Sequence, residues 1–309
     1  MVKARKNKDP HLERLSNTEI VITALTSGAI AGGIAKTTIA PLDRTKINFQ
    51  ISHRTYSTRK AFKFLLETLR KEGFFALWRG NSATMARIVP YAAIQFTAHE
   101  QWKRILKVDQ NGSPQKLFLA GCLTGVTAQS LTYPLDMARA RMAVTHKSEY
   151  ATLRRVFQKI YSFEGFRGYY RGFIPTIVGV IPYAGVSFFT YDSLKRFYRE
   201  HVDSSSFTIN PIASLGFGAV AGMLGQTSSY PFDIVRRRIQ TGTVEKYPNM
   251  IKTIQYVYNT EGIIKGFYKG LSMNWIKGPI AVGISYAAND NIRDSLRAFL
   301  VKYRTHTLM

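Results

Sequence analysis

Three aspartates stand two residues after a proline, and each is followed three residues later by a base. They are Asp43 and Lys46 after Pro41, Asp136 and Arg139 after Pro134, and Asp233 and Arg236 after Pro231. Opposite charges held at one spacing in apolar sequence can pair, and the pairs can part. Desolvation offsets much of the attraction in such a pair, so it holds a closed state yet exchanges at little net cost. No nucleophile–base pair or clustered metal ligands accompany them, so no enzyme, metal site or cofactor is expected. The prolines lie 93 and 97 residues apart. A period that long marks three copies of one module of about 100 residues. Proline removes a helix hydrogen bond and bends the helix. Three bends around an axis draw three helix ends together and set each aspartate near a base of the next module. A ring of salt bridges sealing one mouth of a cavity is expected, with Arg236 as the partner of Asp136. Gln50 and Gln240, one turn beyond the bases, are expected to brace it, while module two has Ala143 there. The plainer alternative is three surface ion pairs.

A second charged set recurs in each module. Glu100 and Lys103, Asp192 and Lys195, and Asp290 and Arg293 keep one spacing. A ring at the far mouth would complete what alternating access requires. Helix-stabilising pairs three residues apart are the alternative.

Between the rings the modules differ. Seven residues beyond the glycines Gly80, Gly172 and Gly270 stand Arg87, Gly179 and Lys277. Arginine and lysine suit phosphate groups, the first as a fork and the second as a point charge. Gly179 and Val180 leave an apolar slot for a planar base, and Tyr183 one turn on can stack or hydrogen-bond. Lys36, one turn before Pro41, adds a cation, and Asn274 shares a face with Lys277. The alternative for a lone arginine in a span is snorkelling to the interface.

Long apolar helices must position these groups. Residues 21–35 are charge-free, and the run continues past Lys36 to Pro41. Similar stretches lie near 83–96, 116–135, 174–190, 211–232 and 271–288, giving six candidate membrane spans. Charges inside them (Lys36, Arg87, Lys277) should face protein or a water-filled cavity. Gly28 and Gly32, Gly121 and Gly125, and Gly218 and Gly222 keep fixed distances from their prolines. Small residues four apart predict a face that another helix approaches closely. Between the paired spans lie amphipathic stretches carrying Phe62, Leu65, Leu66 and Leu69, then Val156, Ile160 and Phe163, then Ile251, Ile254, Val257 and Tyr258. They predict short helices at the membrane surface. Each leads into a glutamate–glycine pair (Glu72–Gly73, Glu164–Gly165, Glu261–Gly262). An aromatic, a base and a glycine follow, as in Trp78–Arg79–Gly80. The third link has one extra residue.

The chain carries 43 Lys and Arg against 19 Asp and Glu, a formal charge of +24, with 45% hydrophobic residues. A soluble basic repeat protein binding RNA is one reading of that charge. The bases are spread over the whole chain, which favours a membrane protein with a small anionic substrate. The single cysteine, Cys122, excludes an internal disulfide and reads as a buried structural thiol. The basic start lacks the apolar stretch of a secretory signal.

The threefold P-x-D-x-x-[KR] pattern, with its downstream glutamate–glycine and aromatic–base–glycine, resembles the mitochondrial carrier family from 18 to 300. The resemblance implies an all-α membrane protein. Six transmembrane helices in three pseudo-symmetric repeats surround a central cavity, with three short surface helices on the matrix side and both termini toward the cytosol. The copies then occupy 18–108, 114–200 and 209–301, between a basic tail (1–17) and a C-terminal tail (302–309). The Asp43, Asp136 and Asp233 ring becomes the matrix gate, and the Glu100, Asp192 and Asp290 ring the cytoplasmic gate. Arg87, Gly179–Val180 and Lys277 fall on the family's substrate contact points.

Glycine followed by an aliphatic at the second point resembles members that carry adenine nucleotides. Residues 40–47, 78–85, 94–100 and 274–285 resemble members that exchange coenzyme A and adenosine 3',5'-bisphosphate for ADP and ATP. Dephospho-coenzyme A and general adenine nucleotide carriage stay open. His99 departs from the family's tyrosine before the acidic gate residue. The implied setting is the mitochondrial inner membrane, with a monomer in contact with lipid such as cardiolipin and no nucleic acid partner.

Overall fold

The computed structural model describes residues 16–52, 56–108, 114–145, 150, 152–201, 210–242 and 246–307. Among them there are helices and no strand. Module one contains α1 (Asn17–Ile51), α2 (Thr58–Glu72), a 3₁₀ turn (Phe74–Trp78) and α3 (Asn81–Ile105). Module two contains α4 (Pro114–Val144), α5 (Leu153–Gly168) and α6 (Phe173–His201). Module three contains α7 (Pro211–Thr241), α8 (Met250–Glu261), a π turn (Ile263–Phe267) and α9 (Leu271–Thr307). The last helix runs past the repeat boundary read at 301. Residues 109–113 and 203–206, polar segments between the modules, and residues 1–15 of the basic tail lie outside the described residues.

The chain forms two compact units. One comprises Met1–Ile39 with Gly278–Met309. Within it, Ser27 Oγ on α1 donates to Asn289 Oδ1 on α9 at 2.9 Å. The other, Ala40–Lys277, holds the apolar cores. Each short helix closes on the end of a long one. Val156 and Ile160 of α5 pack with Tyr133 and Met137 of α4. Val257 of α8 packs with Val235 and Ile239 of α7. Ala61 of α2 packs with Phe49 and Met273. Side-chain caps fix two of the starts. Thr152 accepts from the Arg155 amide at 3.3 Å and Asn249 from the Lys252 amide at 2.9 Å, satisfying donors that a helix start leaves free. Phe62, Phe163 and Ile251, expected on the apolar faces, stay exposed.

Pro41, Pro134 and Pro231 lie inside α1, α4 and α7, which continue on both sides of them. The links after the short helices turn on glycine. Gly80 has φ +85°, and a Cβ there would stand 2.9 Å from the Arg139 carbonyl oxygen. Only glycine combines that left-handed backbone with so close an approach. The extra residue of the third link is taken up by the π turn, whose wider i→i+5 ring holds one more residue than an α turn.

The glycine stripes behave otherwise than expected. A Cβ at Gly28, Gly32, Gly121, Gly125, Gly218 or Gly222 would meet nothing within 4 Å. Their lack of side chains leaves space open instead of admitting a helix, and Gly121 and Gly125 line a cavity. Close helix approach occurs at Gly225, where a Cβ would stand 2.9 Å from the Tyr183 carbonyl oxygen. Among the described residues, two helices are long and apolar enough to cross a membrane, Thr18–Ile51 and Phe173–His201.

Candidate functional site

The motif charges meet between modules. Arg139 of module two donates to Asp43 of module one. Arg236 of module three donates to Asp136 of module two. Lys46 of module one reaches Asp233 of module three at 3.4 Å. Each aspartate thus takes a base from a neighbouring copy, and the three contacts close a cycle. Proline spacing explains the convergence, because each acid and base follows its proline by the same two and five residues.

The three positions are unequal. Asp136 also receives Gln240 Nε2 at 3.1 Å, with Arg237 and Arg87 at 3.5 Å each, and its side chain is 2% exposed. Asp43 also receives Lys277 Nζ at 2.7 Å. Asp233 has Lys46 as its ion-pair partner, and its side chain is 38% exposed. Such a network is stronger where more donors satisfy one buried carboxylate.

The two glutamines differ in what they brace. Gln240 Nε2 donates to both Asp136 and the Tyr133 hydroxyl, the latter at 2.9 Å. Gln50 Nε2 reaches the Tyr230 hydroxyl at 3.4 Å and is not bonded to the aspartate. Both tyrosines precede the motif proline, and each donates to the carbonyl of a link base, Arg171 at 2.9 Å and Lys269 at 2.8 Å. Their rings face the bases of the pairs, Arg236 over Tyr133 and Lys46 over Tyr230. Between modules one and two the corresponding residues are Ala40 and Ala143. Where the glutamine is missing, the tyrosine is missing too.

A second tier runs alongside. Arg44 donates to Glu72 at 2.8 Å and through Nε to the Ala143 carbonyl at 3.2 Å. Arg141 joins Glu164 at 2.6 Å and the Gln240 carbonyl at 3.1 Å. Arg238 joins Glu261 at 2.7 Å and the Gln50 carbonyl at 3.2 Å. The glutamates are those of the glutamate–glycine pairs, and the link bases Arg171 and Lys269 share them. Helix ends leave carbonyls without intrahelical donors, and these arginines supply them from the adjacent module. In modules two and three the arginine lies five residues after the aspartate. In module one Asn48 holds that place and Arg44 substitutes, which hides the tier from a search by spacing. Burial raises the Glu261 carboxyl, and hydrogen bonds from Lys269 and Arg238 outweigh it, leaving the group below its ordinary value. Burial lowers Lys269, which Glu261 partly offsets.

Beside the ring lies a cavity of about 700 Å³. Arg87, Gly179, Val180, Tyr183, Asn274 and Lys277 all line it. Six basic side chains of the lining face three acidic ones, Asp43, Asp136 and Asp233. Arg87 is held on α4: Nη2 donates to Gln129 Oε1 at 2.6 Å, Nε to Thr132 Oγ1 at 3.1 Å, and the group lies 4.8 Å from the Tyr91 ring centroid. Gly179 is buried, and a Cβ on it would stand 3.0 Å from Phe232 Cβ. The slot expected above Gly179 is therefore occupied by Phe232, and Val180 and Tyr183 are left as its open wall. Cys122, expected to be a buried structural thiol, is half-buried and lines the cavity, because the glycines around it leave room. Arg237, Gln129, Gln226 and Phe232 also reach the cavity. Five residues before a motif proline is the register of Gln129, Gln226 and Lys36, the one signal that could have found the glutamines. Lys36 lies in the Met1–Ile39 unit and is exposed.

The second charged set makes no contact between modules among the described ion pairs. Glu100 meets Lys103 at 3.6 Å and Asp290 meets Arg293 at 3.2 Å, each within one helix. Asp192 meets Arg196 at 2.8 Å, four residues on, in place of the expected Lys195. One helical turn brings Arg196 to the same face as Asp192. His99 Nδ1 lies 3.4 Å from Thr124 Oγ1.

A family model described as mitochondrial carrier protein matches residues 18–110, 110–202 and 207–299. The mitochondrial coenzyme A transporter of Homo sapiens is 52% identical over 284 residues, covering 90% of this chain and 89% of that protein. Its Xenopus laevis counterpart is 53% identical over 281 residues, covering 89% and 85%. Solute carrier family 25 member 16 of Homo sapiens is 46% identical over 270 residues, covering 81% of each.

Proposed function

This chain belongs to the mitochondrial carrier family, a multi-pass protein of the mitochondrial inner membrane, and on that premise we propose that it exchanges coenzyme A and related adenine nucleotides by alternating access. Adenosine 3',5'-bisphosphate, ADP and ATP are the related substrates. The observation that carries the reading is the excess of basic over acidic side chains lining a cavity that also offers Val180 and Tyr183. Cations for phosphates beside an apolar and aromatic wall for a base match a nucleotide. The relatives that cover nine-tenths of the chain at about half identity bear the name of coenzyme A transporters, which supports the same substrate.

In this reading α1, α3, α4, α6, α7 and α9 are the six membrane spans, and α2, α5 and α8 lie at the matrix surface. The Asp43, Asp136 and Asp233 ring is the matrix gate, with Gln50 and Gln240 as its braces. Glu100, Asp192 and Asp290 are the acids of the cytoplasmic gate. Their bases pair within their own helices, as befits a gate that stands open while the other is shut. The protein acts as a monomer in contact with membrane lipid, cardiolipin included. Arg87 and Lys277 meet phosphates, and Val180 and Tyr183 hold the adenine.

A substrate anion competes with Asp136 for Arg87 and with Asp43 for Lys277. Binding therefore withdraws donors from the matrix gate, and the gate can part. Modest affinity follows, since part of the attraction is spent on replacing contacts already made.

The test is exchange in reconstituted vesicles loaded with ADP and offered coenzyme A, dephospho-coenzyme A, adenosine 3',5'-bisphosphate or ATP. Uptake of coenzyme A that depends on internal nucleotide, and is lost in Arg87→Ala and Lys277→Ala, is the expected result. Uptake of every anionic nucleotide unchanged in both variants would sink the site.

A further inference from the structure

We propose that Gln226 reads the edge of the adenine, pairing through its amide with N6 and N7, and so selects the base. The inference rests on the reading of Val180 and Tyr183 as the wall for the adenine. Gln226 is half-buried on α7 and lines the cavity. Two contacts fix it beside that wall. A Cβ on its neighbour Gly225 would stand 2.9 Å from the Tyr183 carbonyl oxygen, and Ser228 Oγ donates to the Pro182 carbonyl at 3.0 Å. The segment around Gln226 is therefore packed directly on the segment of α6 that carries Tyr183.

Among the described residues the Gln226 amide has no hydrogen-bond partner. Its counterpart in module two has its acceptor committed, since Gln129 Oε1 accepts from Arg87, while Gln129 Nε2 is buried without a partner. The nearby Ser229 hydroxyl donates to the Gln226 backbone carbonyl at 3.3 Å. The cavity's carboxylates are engaged by bases of the ring, and its cations cannot accept a hydrogen bond. Gln226 thus offers an uncommitted acceptor next to an uncommitted donor.

That pairing has a definite complement. Adenine presents a donor at N6 beside an acceptor at N7, and a glutamine amide meets both at once. A purine with oxygen at C6 presents two acceptors on the same edge. One amide N–H can still serve it, while Oε1 is left facing an oxygen in a partly desolvated site. A site built to satisfy a ligand's hydrogen bonds rejects the analogue that lacks them.

The experiment compares ADP with inosine diphosphate, which share phosphates and ribose and differ at C6. Uptake of each is measured in reconstituted vesicles for the unaltered chain, Gln226→Met and Gln226→Asn, with unfolding midpoints recorded in detergent. The unaltered chain should prefer ADP by about tenfold, the size of one good base contact. Gln226→Met, close in volume, should bring the ratio near one. Gln226→Asn keeps the amide and should retain part of the preference, which covers the case of a methionine variant that does not fold. An unaltered chain that takes both nucleotides equally, or a ratio unchanged in a folded Gln226→Met, overturns the inference and leaves the transport reading standing. An unaltered chain that takes up neither overturns both.

Discussion

Lys277 Nζ donates to Asp43 Oδ1 at 2.7 Å, so a cation that lines the cavity is also a partner of a ring acid. Arg87 stands in the same relation to Asp136, at 3.5 Å. Cavity and ring therefore share side chains. Lys277→Ala should cut exchange of coenzyme A by more than tenfold, as loss of a partly desolvated charge contact does. Lys277→Arg should recover a large part, because the charge returns with a different shape. Initial uptake rates in vesicles would check both, and an alanine variant as active as the unaltered chain would remove Lys277 from the site.

Charge exchange should succeed unequally around the ring. Lys46 and Asp233 form the least encumbered pair, so Lys46→Asp combined with Asp233→Lys should restore a good share of the activity that either change removes. The same exchange at Arg236 and Asp136 should restore little, since Arg237, Arg87 and Gln240 all converge on Asp136 and would face a cation there. Double-mutant cycles on exchange rates would give the coupling for each pair. Additive losses at all three positions would dissolve the ring.

Gln240→Leu should destabilise more than Gln50→Leu. The first leaves a buried carboxylate and the Tyr133 hydroxyl short of a donor, a loss of roughly 1–3 kcal/mol. The second removes one long contact. Thermal unfolding of the two variants in detergent would rank them, and equal midpoints would argue against a brace.

Gly80→Ala should lower stability by about 1–3 kcal/mol, from the left-handed backbone and the Arg139 carbonyl at the new Cβ. Gly28→Ala, where a Cβ meets nothing, should change it little. Unfolding midpoints would show the contrast.

Acid should loosen the second tier through Glu261. Its pKa in the folded protein is lowered, so its contribution is present above the ordinary carboxylate value, about 4.3, and is lost as pH falls through the lowered one. Glu261→Gln should therefore be less stable at neutral pH and lose less on acidification from pH 6 to 3. Parallel melting curves across that range for the variant and the unaltered chain would contradict the assignment.

Charge and proline spacing made the ring legible, because acids and bases that must meet keep one register in every copy. Family membership was legible for the same reason. Three features were hidden. Phe232 fills the space over Gly179, a contact between α6 and α7 that no local pattern encodes. Arg44 replaces a motif arginine from a different offset, so only its partners Glu72 and Ala143 betray it. The glycine stripes read as contact faces because small residues serve both close packing and open space, and sequence alone does not distinguish a neighbour from a void. Cys122 was misjudged through the same ambiguity.

The π turn at Ile263–Phe267 has a consequence for angular phase. Around a helix each residue advances the side chain by about 100°. An extra residue upstream of Gly270 is absorbed before α9 begins, so Asn274 and Lys277 keep the orientation that their counterparts have in the shorter links. The same residue inserted between Gly270 and Lys277 would turn Lys277 away from Asp43 by more than a quarter of a revolution. The link thus tolerates changes of length on one side of a single glycine and none on the other, and Gly270 is the origin from which the direction of the third module's cation is measured.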